Sequence, residues 1–199
     1  MALSDVLSGY LHFFWAGLVR HLQTGSVVPS QRFLLDKMIT PVPPDYTGRV
    51  VELGSGTGNL TVRLASRCPK ARILACEINP VLAEDTRKNL FRAGINGQVQ
   101  VRVQPAQEVL AELNGRDGER PGFIISGLPI GNLKRKKVLE LLRASNEVLR
   151  PNGMFIQVQH LLWDRKHIRA VFGNLKTVPA LLNAPPAFVY YAKKQNGCR

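Results

Sequence analysis

Three glycines at alternate positions, Gly54, Gly56 and Gly58, follow directly on the apolar run Val50-Val51-Glu52-Leu53. Glycines in such a turn let backbone N–H groups approach a ligand where any Cβ would clash, and the helix that follows offers its positive N-terminal end. The segment therefore reads as a nucleotide-cofactor cradle. Its spacing is G-x-G-x-G rather than the dinucleotide fingerprint G-x-G-x-x-G, with an acid, Glu52, two positions before the first glycine. A second acid, Glu77, stands 19 residues beyond Gly58 at the end of the next apolar run. One carboxylate there can accept from both hydroxyls of a ribose. Glu77 equally suits a helix-capping role ahead of Asn79, and Glu52 suits a buried carboxylate bound to backbone N–H groups.

Two later segments extend the candidate site. Gln104-Pro105-Ala106-Gln107 follows the third apolar run, and its two glutamines suit either a binding site or plain surface positions. Ser126-Gly127-Leu128-Pro129 follows the fourth, at the end of the sheet where an open α/β fold presents its substrate. That segment also reads as a plain β-to-α turn. The basic run Lys134-Arg135-Lys136-Lys137 comes next; it is either a solvated helix end or, beside this mouth, a phosphate-facing patch.

The elements that must hold these residues alternate as β-α-β units do. Strands are expected at 49–53, 72–77, 99–103, 123–126 and 154–159, with helices from about Gly58 to Ser66, from Pro80 with Asn79 as N-cap to a stop at Gly94, and from Lys134 to Leu149. Residues 175–193 read as two strands joined through Asn183-Ala184-Pro185-Pro186, an antiparallel hairpin at a sheet edge. Ahead of the core, a short helix from Gln31 to Ile39 takes Ser30 as N-cap, and Pro41-Val42-Pro43-Pro44 ends it. Val6, Leu7, Tyr10, Leu11, Phe13, Phe14, Leu18, Val19 and Leu22 recur at three- and four-residue steps, so residues 1–23 read as an amphipathic helix.

At 199 residues the chain suits one domain, 24–199, with that helix as an appendage. The formal charge of +13 implies attraction to a polyanion, either nucleic acid or an anionic membrane leaflet. Cys68, Cys76 and Cys198 lack metal-ligand or disulfide spacing, so no metal site is expected and a reducing cytoplasm is the natural compartment. No apolar run reaches the roughly 18 residues of a membrane span.

The segment Glu52 to Gly58 resembles motif I of class I S-adenosylmethionine-dependent methyltransferases. With Thr24-Gly25-Ser26-Val27-Val28-Pro29-Ser30, Ser126-Gly127-Leu128-Pro129 and Asn183-Ala184-Pro185-Pro186-Ala187-Phe188-Val189-Tyr190, the chain is similar to the bacterial phospholipid N-methyltransferases, and more distantly to ribosomal RNA adenine dimethylases. The resemblance implies an α/β, Rossmann-like fold: a mostly parallel seven-stranded sheet with an antiparallel C-terminal hairpin strand and an N-terminal amphipathic helix. It implies S-adenosylmethionine as cofactor, held by Thr24, Gly25, Ser26, Glu52, Gly54, Ser55, Gly56, Gly58, Asn59, Glu77, Ile78, Ala106, Gln107 and Ser126. It also implies stepwise methylation of phosphatidylethanolamine towards phosphatidylcholine at the inner face of the cell membrane, with anionic lipid as partner and no nucleic acid. Ser126 and the carbonyls of Gly127 and Leu128 would guide the amine, and Tyr10, Trp15, Tyr190 or Tyr191 would face the cationic headgroup. The helix at 1–23 would anchor to lipid or close as a lid.

Two alternatives stand beside this one. An RNA or protein methyltransferase fits the net charge, but enzymes acting on exocyclic base amines carry Asn or Asp, Pro-Pro and an aromatic where this chain has Ser126, Leu128-Pro129 and Ile130. A membrane-surface module that binds the cofactor without turnover fits Pro105.

Overall fold

Five buried or half-buried apolar strands make the parallel part of the sheet, and their order explains where the site lies. The computed structural model describes residues 29–95, 97–114, 120–159, 164–181 and 186–195. The expected helix at 1–23, with Tyr10 and Trp15, and the segment Thr24 to Ser26 lie outside them. The described elements run α1 (Pro29–Ile39), β1 (Arg49–Leu53), α2 (Asn59–Arg67), β2 (Arg72–Glu77), α3 (Pro80–Arg92), β3 (Val99–Val103), α4 (Ala106–Asn114), β4 (Phe123–Ser126), a 3-10 turn (Ile130–Asn132), α5 (Arg135–Val148), β5 (Met154–Gln159), α6 (Arg165–Phe172), β6 (Asn174–Ala180) and β7 (Ala187–Lys193). The seven strands form one sheet in the order β3-β2-β1-β4-β5-β7-β6. Pairings from β3 through β5 are parallel, and β7 runs antiparallel to both β5 and β6. This is the expected α/β architecture, with the last strand inserted inside the edge.

The five parallel strands fall at the expected residues because each is a short apolar run between turn residues. Asn79 caps α3 with its side-chain oxygen accepting from Val81 N–H at 2.9 Å, and Pro80 opens the helix. Helix α1 starts at Pro29, so Ser30 falls in its first turn and not at the N-cap. Proline has no N–H to leave unsatisfied and its φ suits a first helical position. Helix α6 was not expected. It spans only eight residues, too short for apolar periodicity to stand out, yet Ile168 and Phe172 four apart bury one face.

Two cores flank the sheet. On one side Val50, Ile73, Ile125, Ile156 and Val189 pack with α1 and α2. On the other Val51, Leu53, Ile124, Phe155 and Tyr190 pack with α4, α5 and α6, and Phe155 stacks on Phe172 with ring centroids 5.3 Å apart. Cys68 and Cys76 are free thiols, and burial pushes Cys76 up to about 12, which fits inert core residues. The Tyr191 hydroxyl donates to the Lys37 carbonyl at 2.7 Å, tying α1 to β7 across 154 positions. Tyr191→Phe is expected to lower stability by about 1 kcal/mol, read as a shift in the urea midpoint; an unchanged midpoint would show that this bond contributes nothing.

Candidate active site

The order of strands reverses between β1 and β4, and in an open α/β sheet the crevice beyond the carboxyl ends at such a point takes the ligand. The loop after β1 is the glycine segment and the loop after β4 is Ser126-Gly127-Leu128-Pro129. The two touch. A Cβ on Gly54 would come within 2.8 Å of Leu128 Cδ2, one on Gly127 within 3.2 Å of the Gly54 carbonyl, and Gly127 N–H donates to the Leu53 carbonyl at 3.0 Å.

Gly58 adopts φ +83° and a Cβ there would meet Thr86, backbone included, at 2.8 to 3.0 Å, so α2 and α3 approach only because the residue is glycine. Gly56 differs: it has φ +57°, but a Cβ would meet no heavy atom within 4 Å. Glycine is needed there for the positive φ and not for close packing, and the unfilled space next to its α-carbon is room for a ligand although the residue itself is buried. Thr86 Oγ1 donates to the Gly56 carbonyl at 2.8 Å and lies 3.4 Å from Ser55 Oγ, while Asn89 Nδ2 donates to the Thr57 carbonyl at 2.9 Å. Helix α3 thus fixes the loop from behind.

Both acids point to the α2 side of the sheet, since Glu52 is in register with Ala75 and Glu77 lies two residues further along β2. Glu77 uses each oxygen once: Oε2 accepts from Gly56 N–H at 2.9 Å and Oε1 from Asn79 N–H at 3.0 Å. The two readings of Glu77 therefore meet in one residue. It joins the loop to the start of α3, and each oxygen retains a lone pair for a ribose hydroxyl. Glu52 is 2% exposed, and its Oε2 has no hydrogen-bond partner. Burial pushes its carboxyl up to about 8, the Thr61 hydroxyl opposing and the Glu77 charge adding to the rise. A neutral buried acid beside an open glycine cradle is suited to a ligand bringing positive charge.

Ser55 and Gly56 are buried, Asn59 opens α2 half-buried, and Ile78 is exposed beside Glu77 at the end of β2. Ala106 is buried at the first turn of α4 and Gln107 is exposed. Gln104, whose amide donates to Glu112 at 2.9 Å, is turned to its own helix.

The acceptor side lies on the other face. Ser126 is fully buried and its Oγ accepts from Leu128 N–H at 3.3 Å. The Leu128 carbonyl accepts twice, from Ile130 N–H at 2.8 Å and from Gln157 Nε2 at 2.9 Å. Both its lone pairs are spent, so the expected role of this carbonyl in holding an amine does not fit the geometry. Tyr190 is fully buried in the core; its ring packs there and offers no open cage wall, although its hydroxyl is unpartnered. Lys134 to Lys137 are exposed at the start of α5, directly after the acceptor loop. Sequence reasoning missed Gln157, whose signal was a polar residue inside the apolar run Met154 to Gln159.

Among the described residues no helix is long and apolar enough to cross a membrane and no cluster suits a metal ion.

Residues 50–153 match the family model described as Methyltransferase domain. Ornithine lipid N-methyltransferase of Singulisphaera acidiphila is similar at 29% identity over 170 residues, spanning 84% of this chain and 87% of that protein. Ribosomal RNA small subunit methyltransferase C of Salmonella choleraesuis is similar at 33% over 79 residues, 40% of this chain and 22% of that one. Among solved structures, precorrin-6y C5,15-methyltransferase of Geobacter metallireducens superposes with a TM-score of 0.67 at 15% identity, over 85% of this chain and 92% of that one. The O-methyltransferase TomG of Streptomyces achromogenes, solved in complex with SAM, does so at 0.65 and 17%, over 85% and 82%. These last two likenesses are of fold.

Proposed function

The chain belongs to the methyltransferase domain family, and from that membership we propose that it transfers methyl groups from S-adenosylmethionine to the primary amine of a membrane lipid headgroup. One observation carries the choice of acceptor. The similarity to a lipid N-methyltransferase runs over 84% of this chain and 87% of the relative, whereas the ribosomal RNA enzyme shares a stretch equal to 22% of its own length. Phosphatidylethanolamine and ornithine lipid both present the required amine.

The residues divide the work. Glu77 takes the ribose, the carbonyls of the Gly54 to Gly58 loop take the ammonium of the methionine end together with Glu52, and Ile78 lies along the adenine; the N–H groups of Gly54, Ser55, Gly56 and Gly58 are already donated within the protein. Bound S-adenosylmethionine supplies a methyl group on a sulfonium that is already activated, so the protein's task is positioning. The headgroup ammonium first gives a proton to water, because only the free amine has a lone pair. That pair forms the new N–C bond as the C–S bond breaks, and the sulfonium leaves as a neutral thioether. The net charge of +13 and the exposed Lys134 to Lys137 draw the mouth to anionic lipid, as a peripheral enzyme at the inner face of the cell membrane needs.

The test incubates the full chain with methyl-labelled S-adenosylmethionine and, separately, vesicles of phosphatidylethanolamine or ornithine lipid, each with anionic lipid, and total RNA. Label is expected in lipid and absent from RNA, and the vesicle that takes it names the headgroup. Label in RNA alone would overturn the proposal, and label in none of them would leave a cofactor-binding module without this activity.

A further inference from the structure

Gln157 is fully buried, and its amide is held in one orientation. Nε2 donates to two carbonyls, Leu128 at 2.9 Å and Val158 at 2.8 Å. Both partners accept only, so the nitrogen cannot exchange places with the oxygen. Oε1 is left as a buried acceptor with no hydrogen-bond partner. An unsatisfied amide oxygen costs about 1 to 3 kcal/mol, and a core position between Ile156 and Val158 would hold a leucine without that cost.

The strand register places this oxygen in a row of polar side chains. Ser126 on β4 pairs with Gln157 on β5, which pairs with Tyr190 on β7. All three therefore lie on one face of the sheet, at the carboxyl end of β4 and β5, and the Tyr190 hydroxyl is the second buried polar group in the row without a partner. The Gln157 amide closes off the Leu128 carbonyl, next to the loop that follows β4, and leaves its own oxygen without a donor among the described residues.

From this we propose that Gln157 Oε1 is the hydrogen-bond acceptor for the N–H of the substrate amine, with the Tyr190 hydroxyl beside it. The ligand class is a primary or monomethylated alkylamine. A neutral oxygen holds an ammonium less strongly than a carboxylate would, so it orients the lone pair of the free amine while the proton goes to water. It also reads methylation state: the free primary and monomethylated amines have an N–H to donate, whereas the dimethylated free amine has none, so this contact guides the first two transfers and is absent from any third. The inference rests on the proposed amine transfer, but not on the amine being carried by a lipid.

The experiment uses the full chain saturated with S-adenosylhomocysteine and follows ethanolamine binding by saturation-transfer NMR, alongside the vesicle assay. Gln157→Met keeps the length of the side chain and removes the oxygen. It is expected to abolish the ethanolamine signal and to lower kcat/KM for the methylated acceptor by about tenfold or more, with S-adenosylhomocysteine affinity within twofold of the parent. Tyr190→Phe removes a hydroxyl that has no hydrogen-bond partner among the described residues; it keeps the ring in the core and is expected to weaken ethanolamine binding severalfold. No ethanolamine signal in the parent protein, or signals and kinetics unchanged in both variants, would overturn the inference. An ethanolamine signal lost in Gln157→Met, with no label in lipid, would sustain it and overturn the lipid acceptor instead.

Discussion

Glu77→Ala will lower affinity for S-adenosylmethionine and its product by about a hundredfold or more, measured by titration calorimetry. The carboxylate accepts from Gly56 N–H and Asn79 N–H, one on each oxygen. Bonds to a charged group contribute about 1.5 to 3 kcal/mol each, and every 1.4 kcal/mol is tenfold. Alanine removes the ribose acceptor and also leaves the Gly56 amide, at the centre of the loop, without its anchor. Glu77→Gln keeps an acceptor for one of these donors and should fall between alanine and the parent. Lys136→Ala, exposed at the start of α5, should bind the cofactor within about twofold of the parent, because a solvated charge this far along the next element is screened. Equal losses in Glu77→Ala and Lys136→Ala would remove Glu77 from the cofactor site.

The second large effect is one of pH. The Glu52 carboxyl takes up its proton near pH 8 in the folded protein and near 4.5 when exposed. Between those values the folded state binds more protons than the unfolded chain, so stability must fall as pH rises. The contribution is complete below pH 4.5 and is lost as pH climbs through about 8. Each unit of pKa separation corresponds to about 1.4 kcal/mol, so the ligand-free protein should show a clear drop in urea midpoint from pH 5 to pH 9. Glu52→Gln holds the neutral form permanently; its midpoint should exceed that of the parent at pH 9, with less dependence on pH. A cationic ligand beside Glu52 has the opposite preference and favours the carboxylate. Binding of S-adenosylmethionine at pH 7 should therefore release a proton, seen as a dependence of the calorimetric enthalpy on the ionisation heat of the buffer, and Glu52→Gln should abolish the release. A parent midpoint that rises from pH 5 to pH 9 would show that Glu52 is ionised in the fold.

The parallel half of the fold was legible because its cues are local. Arg49 to Leu53 runs into glycines, Arg72 to Glu77 runs into Asn79-Pro80, and Phe123 to Ser126 runs into Gly127, so turn or cap residues mark these strand ends. Glu77 stood out as a candidate for the same reason, since its spacing from Gly58 is a property of one β-α-β unit, and its bonds to Gly56 and Asn79 join that unit's loop and helix. The row across β4, β5 and β7 was legible in part: the resemblance names Ser126 and Tyr190, and Gln157 between them was not legible because the row is assembled across strands. Ser126, Gln157 and Tyr190 are joined by register alone, and nothing near any one of them announces the other two. The Leu128 carbonyl was misjudged because a backbone lone pair is committed by partners far along the chain, here Gln157. Helix α6 fell short of the length at which a 3.6-residue repeat can be told from chance.

Inserting β7 between β5 and β6 has a consequence for how the molecule is made. The strand synthesised last among those described must enter the sheet at an interior position, with β5 waiting as an open edge until residues 187–193 arrive. The tie from Tyr191 to Lys37 then closes a loop across most of the described chain. Such long-range closure slows folding and leaves an apolar strand edge exposed to other chains in the meantime. A nascent chain carrying β1 to β5 but not β7 thus exposes the β5 edge, the strand edge most open to pairing with another chain.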